Sequence, residues 1–229
     1  IHGRIGDLKL DASMVSISNG SQTSRGGGSI ALMLGQASLN RGAVITSETL
    51  GHAQGGDIVI NTTLESAHAL SLAGRSRISA SATENASGNA GSVQLFARSL
   101  NVTSNSQIAS ASAGSSDAGT VMLNDALHPG DTISITDGGQ ISVASSSGNA
   151  GNIEAFADRW LYLQNGRITT SAADGFGNGG NISSRSRFLI MNASQIKADA
   201  RKGDGGNIDI VSDFALISPG STITASSDY

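Results

Sequence analysis

Five residues in two short stretches have the chemistry of a metal or acid–base site: Glu65 and His68 in one, Asp125, His128 and Asp131 in the other. Imidazoles and carboxylates on neighbouring loops would suit a hard or borderline cation. The spacing within each stretch matches no metal motif, and polar residues of these kinds are also what a solvated loop carries. The expectation is two surface loops without a metal or cofactor. A further run of acids, Asp199, Asp204, Asp209 and Asp213, raises paired-carboxylate glycoside cleavage or calcium-assisted attack on a polysaccharide. Those acids fall about five residues apart, where turns and outward strand positions belong, and that is the pattern of a solvated face. No catalytic residues are expected.

Other chemistry is excluded quickly. Gly203-Asp204-Gly205-Gly206-Asn207-Ile208-Asp209 resembles a calcium-binding nonapeptide, but the period is far from nine. The Gly-rich stretches open strands, so no helix N-terminus is there to cradle a phosphate. Ser is abundant without a nucleophile elbow accompanied by His and Asp. The net charge of −4, with no cluster of five Lys or Arg, argues against nucleic acid. The absence of Cys removes disulfides, thiolate metal sites and Cys nucleophiles, and no apolar run is long enough for a transmembrane helix. Trp160 and Tyr162, which flank Leu161, are the remaining candidates. Placed outside, the two rings would form a surface for a sugar or a partner chain; a one-residue slip would put them in the core instead.

The elements that must position these residues are written in a repeat. Gly and a small polar residue open each unit, followed by aliphatic residues spaced by two, as in Gly56-Asp57-Ile58-Val59-Ile60 and Gly206-Asn207-Ile208-Asp209-Ile210. The opening Gly residues at 28, 56, 91, 119, 151, 180 and 206 are 28, 35, 28, 32, 29 and 26 residues apart. A second alternating segment follows, such as Leu100-Asn101-Val102 or Leu189-Ile190-Met191. The third begins with Ile and runs into small residues, as in Ile108-Ala109-Ser110. From second-segment start to third-segment Ile the distance is eight residues (70 to 78, 100 to 108, 133 to 141) or seven (161 to 168, 189 to 196, 216 to 223). Val15-Ser16-Ile17 with Thr23, and Ala37-Ser38-Leu39 with Ile45, read as degenerate copies.

Period-two alternation in runs too short for helices predicts strands, and a repeat of this length predicts stacked supersecondary units. The expectation is an all-β, right-handed parallel β-helix of about eight coils with three short strands per coil, about 38 Å long at 4.8 Å per coil. Residues 1–229 read as a single domain, less regular over 1–87. Asn152, Asn181 and Asn207 should stack as a ladder, and Gly at the corners should supply unusual backbone angles. From first to second segment the chain uses seven or eight residues in regular coils but twelve from 58 to 70 and from 121 to 133. The extra residues hold the five candidate ligands, and both insertions should leave the same corner two coils apart.

The motifs Gly-Asn-Gly-Gly-Asn-Ile (177 to 182) and Gly-Asp-Gly-Gly-Asn-Ile-Asp-Ile (203 to 210), and the tail Ser218-Pro219-Gly220-Ser221-Thr222-Ile223-Thr224-Ala225, carry a resemblance. The chain resembles the repeat region of filamentous haemagglutinin-type exoproteins, most clearly from Gly148 onward. The resemblance implies a parallel β-helical rod, two-partner secretion through an outer-membrane transporter, and a location outside a Gram-negative cell, secreted or at its surface. It also implies adhesion to a host or bacterial surface protein or glycan, without membrane insertion. The family's Asn-Pro-Asn-type secretion signature has no counterpart here, since the chain contains no Asn-Pro pair. The competing expectations are a β-helical polysaccharide lyase or hydrolase and an autotransporter passenger domain.

Overall fold

The computed structural model describes residues 2–20, 26–61, 67–174 and 176–227. Every regular element among them is a strand, and the pairings are parallel. β1 (His2–Asp11) and β2 (Met14–Asn19) form the first rung, and β3 (Ile30–Asn40) and β4 (Val44–Thr49) the second. Three rungs of three strands follow: β5 (Ile58–Ile60), β6 (Ala67–Leu72) and β7 (Arg77–Ala82); β8 (Val93–Leu95), β9 (Ala97–Val102) and β10 (Gln107–Ser112); β11 (Val121–Leu123), β12 (Gly130–Thr136) and β13 (Gln140–Ser145). In the last three rungs the first two segments fuse into one long bent strand: β14 (Ile153–Gln164) with β15 (Arg167–Ala172), β16 (Ile182–Asn192) with β17 (Gln195–Ala200), and β18 (Ile208–Ile217) with β19 (Thr222–Ser227). The third segments stack into an eight-stranded sheet, and the first and second segments join in a second sheet, so the solenoid makes about seven turns. Among the described residues no helix is long and apolar enough to cross a membrane.

Alternation decides which side chains enter the core. In β13 and β15 the residues at even steps from Ile141 and Ile168 turn inward, while Gln140, Ser142, Arg167 and Thr169 face out. The register aligns Ile45, Ile78, Ile108, Ile141, Ile168 and Ile196 in one inward column, each at most 1% exposed. Burying each such side chain is worth about 1.5–3 kcal/mol, so the column is a main source of stability. Small inward residues on the same sheet bring hydroxyls to the opening Gly corner. Ser110 Oγ donates to Gly91 O at 2.9 Å and accepts from Gly119 N at 2.8 Å, and Thr170 Oγ1 donates to Gly180 O at 2.7 Å.

The Asn ladder forms through backbone as well as side-chain donors. Asn152 Oδ1 accepts from Asn181 N at 2.9 Å and Nδ2 at 3.3 Å; Asn181 Oδ1 accepts from Asn207 N at 2.9 Å and Nδ2 at 3.1 Å. A second ladder runs three residues upstream. Asp117 N donates to Asn89 Oδ1 (3.0 Å), Asn149 N to Asp117 Oδ1 (2.7 Å), Asn178 N to Asn149 Oδ1 (3.0 Å) and Asp204 N to Asn178 Oδ1 (3.0 Å).

Three expectations need correction. The opening glycines are not at left-handed backbone angles; positive φ at Gly occurs at Gly42, Gly74 and Gly138, in the turns into the third segment. What the corners require is close approach, because a Cβ at Gly56, Gly91, Gly119, Gly151, Gly180 or Gly206 would overlap the carbonyl oxygen of the corner Gly one rung back. In the last rung the second segment is shifted by one residue: Ala215, not Leu216, aligns with Leu189, so Leu216 falls in the outward column of Ile190. Val15 aligns with Ile45, so Val15-Ser16-Ile17 belongs to the third-segment sheet, and the second segment of that rung is Leu8–Leu10, opposite Ala37–Leu39. Thr23 lies outside the described residues.

Candidate functional site

The two insertions leave the same corner. Asn61 and Asn124 follow the aligned ends of β5 and β11, with Phe96 at the corner of the rung between them. Of the insertion residues, Glu65 lies outside the described residues. His68 is exposed in β6, and the register puts Arg98 and then Asp131 above it in the same column. A guanidinium therefore stands between His68 and Asp131, which opposes a shared cation. His128 and Asp125 do meet, with Nδ1 to Oδ1 at 3.1 Å. Among the described residues, no three His, Asp or Glu side chains converge as metal ligands would.

Asp125 instead organises its own loop. Its Oδ1 accepts from Leu127 N at 2.9 Å and His128 N at 2.6 Å, a local side-chain turn that needs no ion. Partial burial works against the charge, but the two N–H groups and the His128 ring outweigh it and hold the carboxyl below its ordinary value. A carboxylate depressed in the fold contributes order above its unfolded pKa and loses that contribution as pH falls through the lowered folded value. The Leu127 and His128 amide resonances should therefore titrate together with a midpoint below about 3.9. A midpoint at or above that value would refute the assignment, and Asp125→Asn should abolish the titration.

Trp160 and Tyr162 face outward. Leu161 and Leu163, which alternate with them, are fully buried, so the slipped register is ruled out. Two outward columns pass through these aromatics. One reads Gln36, Ala69, Ser99, Thr132, Trp160, Phe188, Phe214; the other reads Ser38, Ser71, Asn101, Ser134, Tyr162, Ile190, Leu216. Both are polar or small through β12 and turn aromatic or aliphatic from β14. The Trp160 and Phe188 rings stack with centroids 4.7 Å apart, and Phe188 and Phe214 with centroids 5.4 Å apart. Stacking along the rod occupies the ring faces, so the lateral surface presents ring edges. That favours contact with apolar groups of a partner over the face-on stacking of a sugar. Trp160, Tyr162, Phe188 and Ile190 are half-buried, Phe214 and Leu216 in the last described rung are 64% and 69% exposed, and Leu127 of the Asp125 loop is 86% exposed.

Beside this strip the bent strands form a crease, where Phe156, Arg185 and Val211 align across three rungs. The crease is a groove of about 210 Å³, overhung by Pro129 of the Asp125 loop and bordered by Asp158, Arg187 and Asp213. A register shift between Phe156 and Trp160 sets three residues of β14 against two of β16, and exposed Asp158 is the middle one of the three. Arg185 and Arg187 beside Phe188 are readable in the sequence as an outer-face pair; the groove is not, because it draws on side chains 26 to 29 residues apart. No protein-family model, curated protein or solved structure matches this chain.

Proposed function

We propose that the chain is a rigid, non-catalytic rod segment of a secreted or cell-surface exoprotein of the filamentous haemagglutinin type. Attachment would run through the outer face of β14, β16 and β18. The reading rests on the two outward columns that change from polar to aromatic and aliphatic while the inward columns remain apolar throughout. Core packing does not require that change, and a contiguous exposed apolar patch on a soluble surface marks an interaction site. The resemblance supplies the setting: export by an outer-membrane transporter of the two-partner type and contact with a surface protein or glycan of a host or bacterial cell. The test is attachment of beads carrying the domain to bacterial and host cells. Phe214→Ser combined with Leu216→Ser should reduce attachment severalfold, whereas Ser99→Ala with Asn101→Ala, on the polar part of the same columns, should not. Equal attachment by both variants would remove this face from the adhesive role.

A further inference from the structure

The groove beside the apolar strip has charges that the fold itself does not use. Arg185, Arg187, Asp158 and Asp213 border it, and none is held in an ion pair with another described residue. Arg185 and Arg187 alternate along the outer face of β16, so their Cα atoms stand about 7 Å apart along the strand. Arg187 lies opposite Asp213 in the register, and the extra residue in β14 puts Asp158 alongside. Phe156 and Val211 flank Arg185 in the rungs before and after it, so an apolar wall stands on each side of that side chain.

Each part narrows the occupant. A guanidinium fork matches a carboxylate in paired hydrogen bonds. Two aspartates would repel a phosphate- or sulfate-dense polymer but accept hydrogen bonds from hydroxyl groups. A neutral sugar would leave both forks unmatched, and an apolar peptide would leave all four charges unmatched. A pyranose with one carboxylate and several hydroxyls gives one fork its carboxylate, offers hydroxyl and ring oxygens to the other, and donates hydroxyl protons to the aspartates, with its C–H groups against Phe156 and Val211. At about 210 Å³ the groove suits one sugar residue of a chain and not an extended oligosaccharide. We infer that this groove binds a carboxylated, uronic-type sugar residue of an acidic glycan, an inference that rests on the adhesive reading and specifies its ligand.

The test is isothermal titration of the intact domain with trigalacturonate, galactotriose and heparin fragments. Wild type should bind trigalacturonate more tightly than either of the others. Arg185→Gln with Arg187→Gln should weaken that binding by about tenfold or more, since charge-assisted bonds are lost. Asp158→Asn with Asp213→Asn should weaken it severalfold while strengthening heparin binding. All four residues are exposed, and circular dichroism would verify that the variants fold. The inference is overturned if trigalacturonate does not bind at millimolar concentration, if the Arg variant binds it equally, or if heparin binds more tightly to wild type. If those results coincide with undiminished cell attachment, the groove is wrong and the adhesive reading stands. Release of unsaturated sugar from trigalacturonate, with or without calcium, would instead overturn the non-catalytic reading.

Discussion

Gly180→Ala is expected to destabilise the rod by about 3 kcal/mol, the upper end of the cost of forcing extra atoms into a packed site. The added methyl group would overlap the backbone carbonyl of Gly151 one rung back, and a carbonyl cannot rotate aside as a flexible side-chain end can. That carbonyl belongs to a corner Gly that itself abuts Gly119, and Gly206 abuts Gly180 from the next rung, so relief at one corner transmits strain to the next. Gly180 O also accepts from buried Thr170 Oγ1, and a corner displaced outward would weaken that bond as well. For a chain of this length each kcal/mol shifts the midpoint by about 2–4 °C, so Tm should fall by about 6–12 °C. Gly220→Ala is the control. A Cβ there meets nothing closer than Ala193 Cα at 3.9 Å, and its effect should stay within about 0.5 kcal/mol. A drop of less than about 2 °C for Gly180→Ala would show that the corners have room the packing does not reveal.

The same corner shows what the sequence makes legible and what it hides. Gly recurring every 26 to 35 residues identifies the stacked unit, and the alternating segments identify the inward Ile column and the outward placement of their neighbours. The physical reason for each Gly is a distance between rungs, which no single repeat contains, and so the expected backbone angles gave way to carbonyl contact. The Asn152–Asn181–Asn207 ladder was legible because one residue type recurs in one frame; the Asn89–Asp117–Asn149–Asn178–Asp204 ladder was not, because Asn and Asp are mixed in it. Leu216 misled because three aliphatic residues, Ala215, Leu216 and Ile217, follow one another, so alternation cannot select the inward set without the neighbouring strand. Of the candidate site, the aromatic residues and the Asp125 loop were visible in one stretch of chain each. The groove needed Phe156, Arg185 and Val211 stacked in register, and of the described metal candidates His68 and Asp131 are kept apart by Arg98 in the rung between them.

Asn124 is the residue that sequence reasoning passed over and whose loss should cost most. It is 1% exposed, sits at φ 61° and links three rungs from the middle one. Its Oδ1 accepts from Ala97 N at 2.9 Å in the rung before, and its Nδ2 donates to Phe156 O at 3.2 Å in the rung after. Asn124→Ala would leave the buried Ala97 N–H without its partner, at about 1–3 kcal/mol, and the part-buried Phe156 carbonyl without its own, at about 1 kcal/mol. It would also hold Ala in the left-handed region, for about 1–2 kcal/mol more. The expected loss is about 4 kcal/mol on these terms, read as the denaturant midpoint against wild type. Asn124→Gly separates the two causes, since it relieves the backbone but restores neither hydrogen bond; its stability should fall between wild type and the Ala variant. Asn124→Asp keeps the acceptor for Ala97 but buries a charge, which raises its folded pKa above the unfolded value. That variant should therefore gain stability as pH falls through the raised value, opposite in sign to the Asp125 effect. Because Asn124 also anchors the base of the loop that places Pro129 over the groove, the Ala variant should weaken trigalacturonate binding even where the rod remains folded. Equal stability of the Ala and Gly variants would assign the whole cost to the hydrogen bonds, and a loss below about 1 kcal/mol would mean that water replaces the amide at both partners.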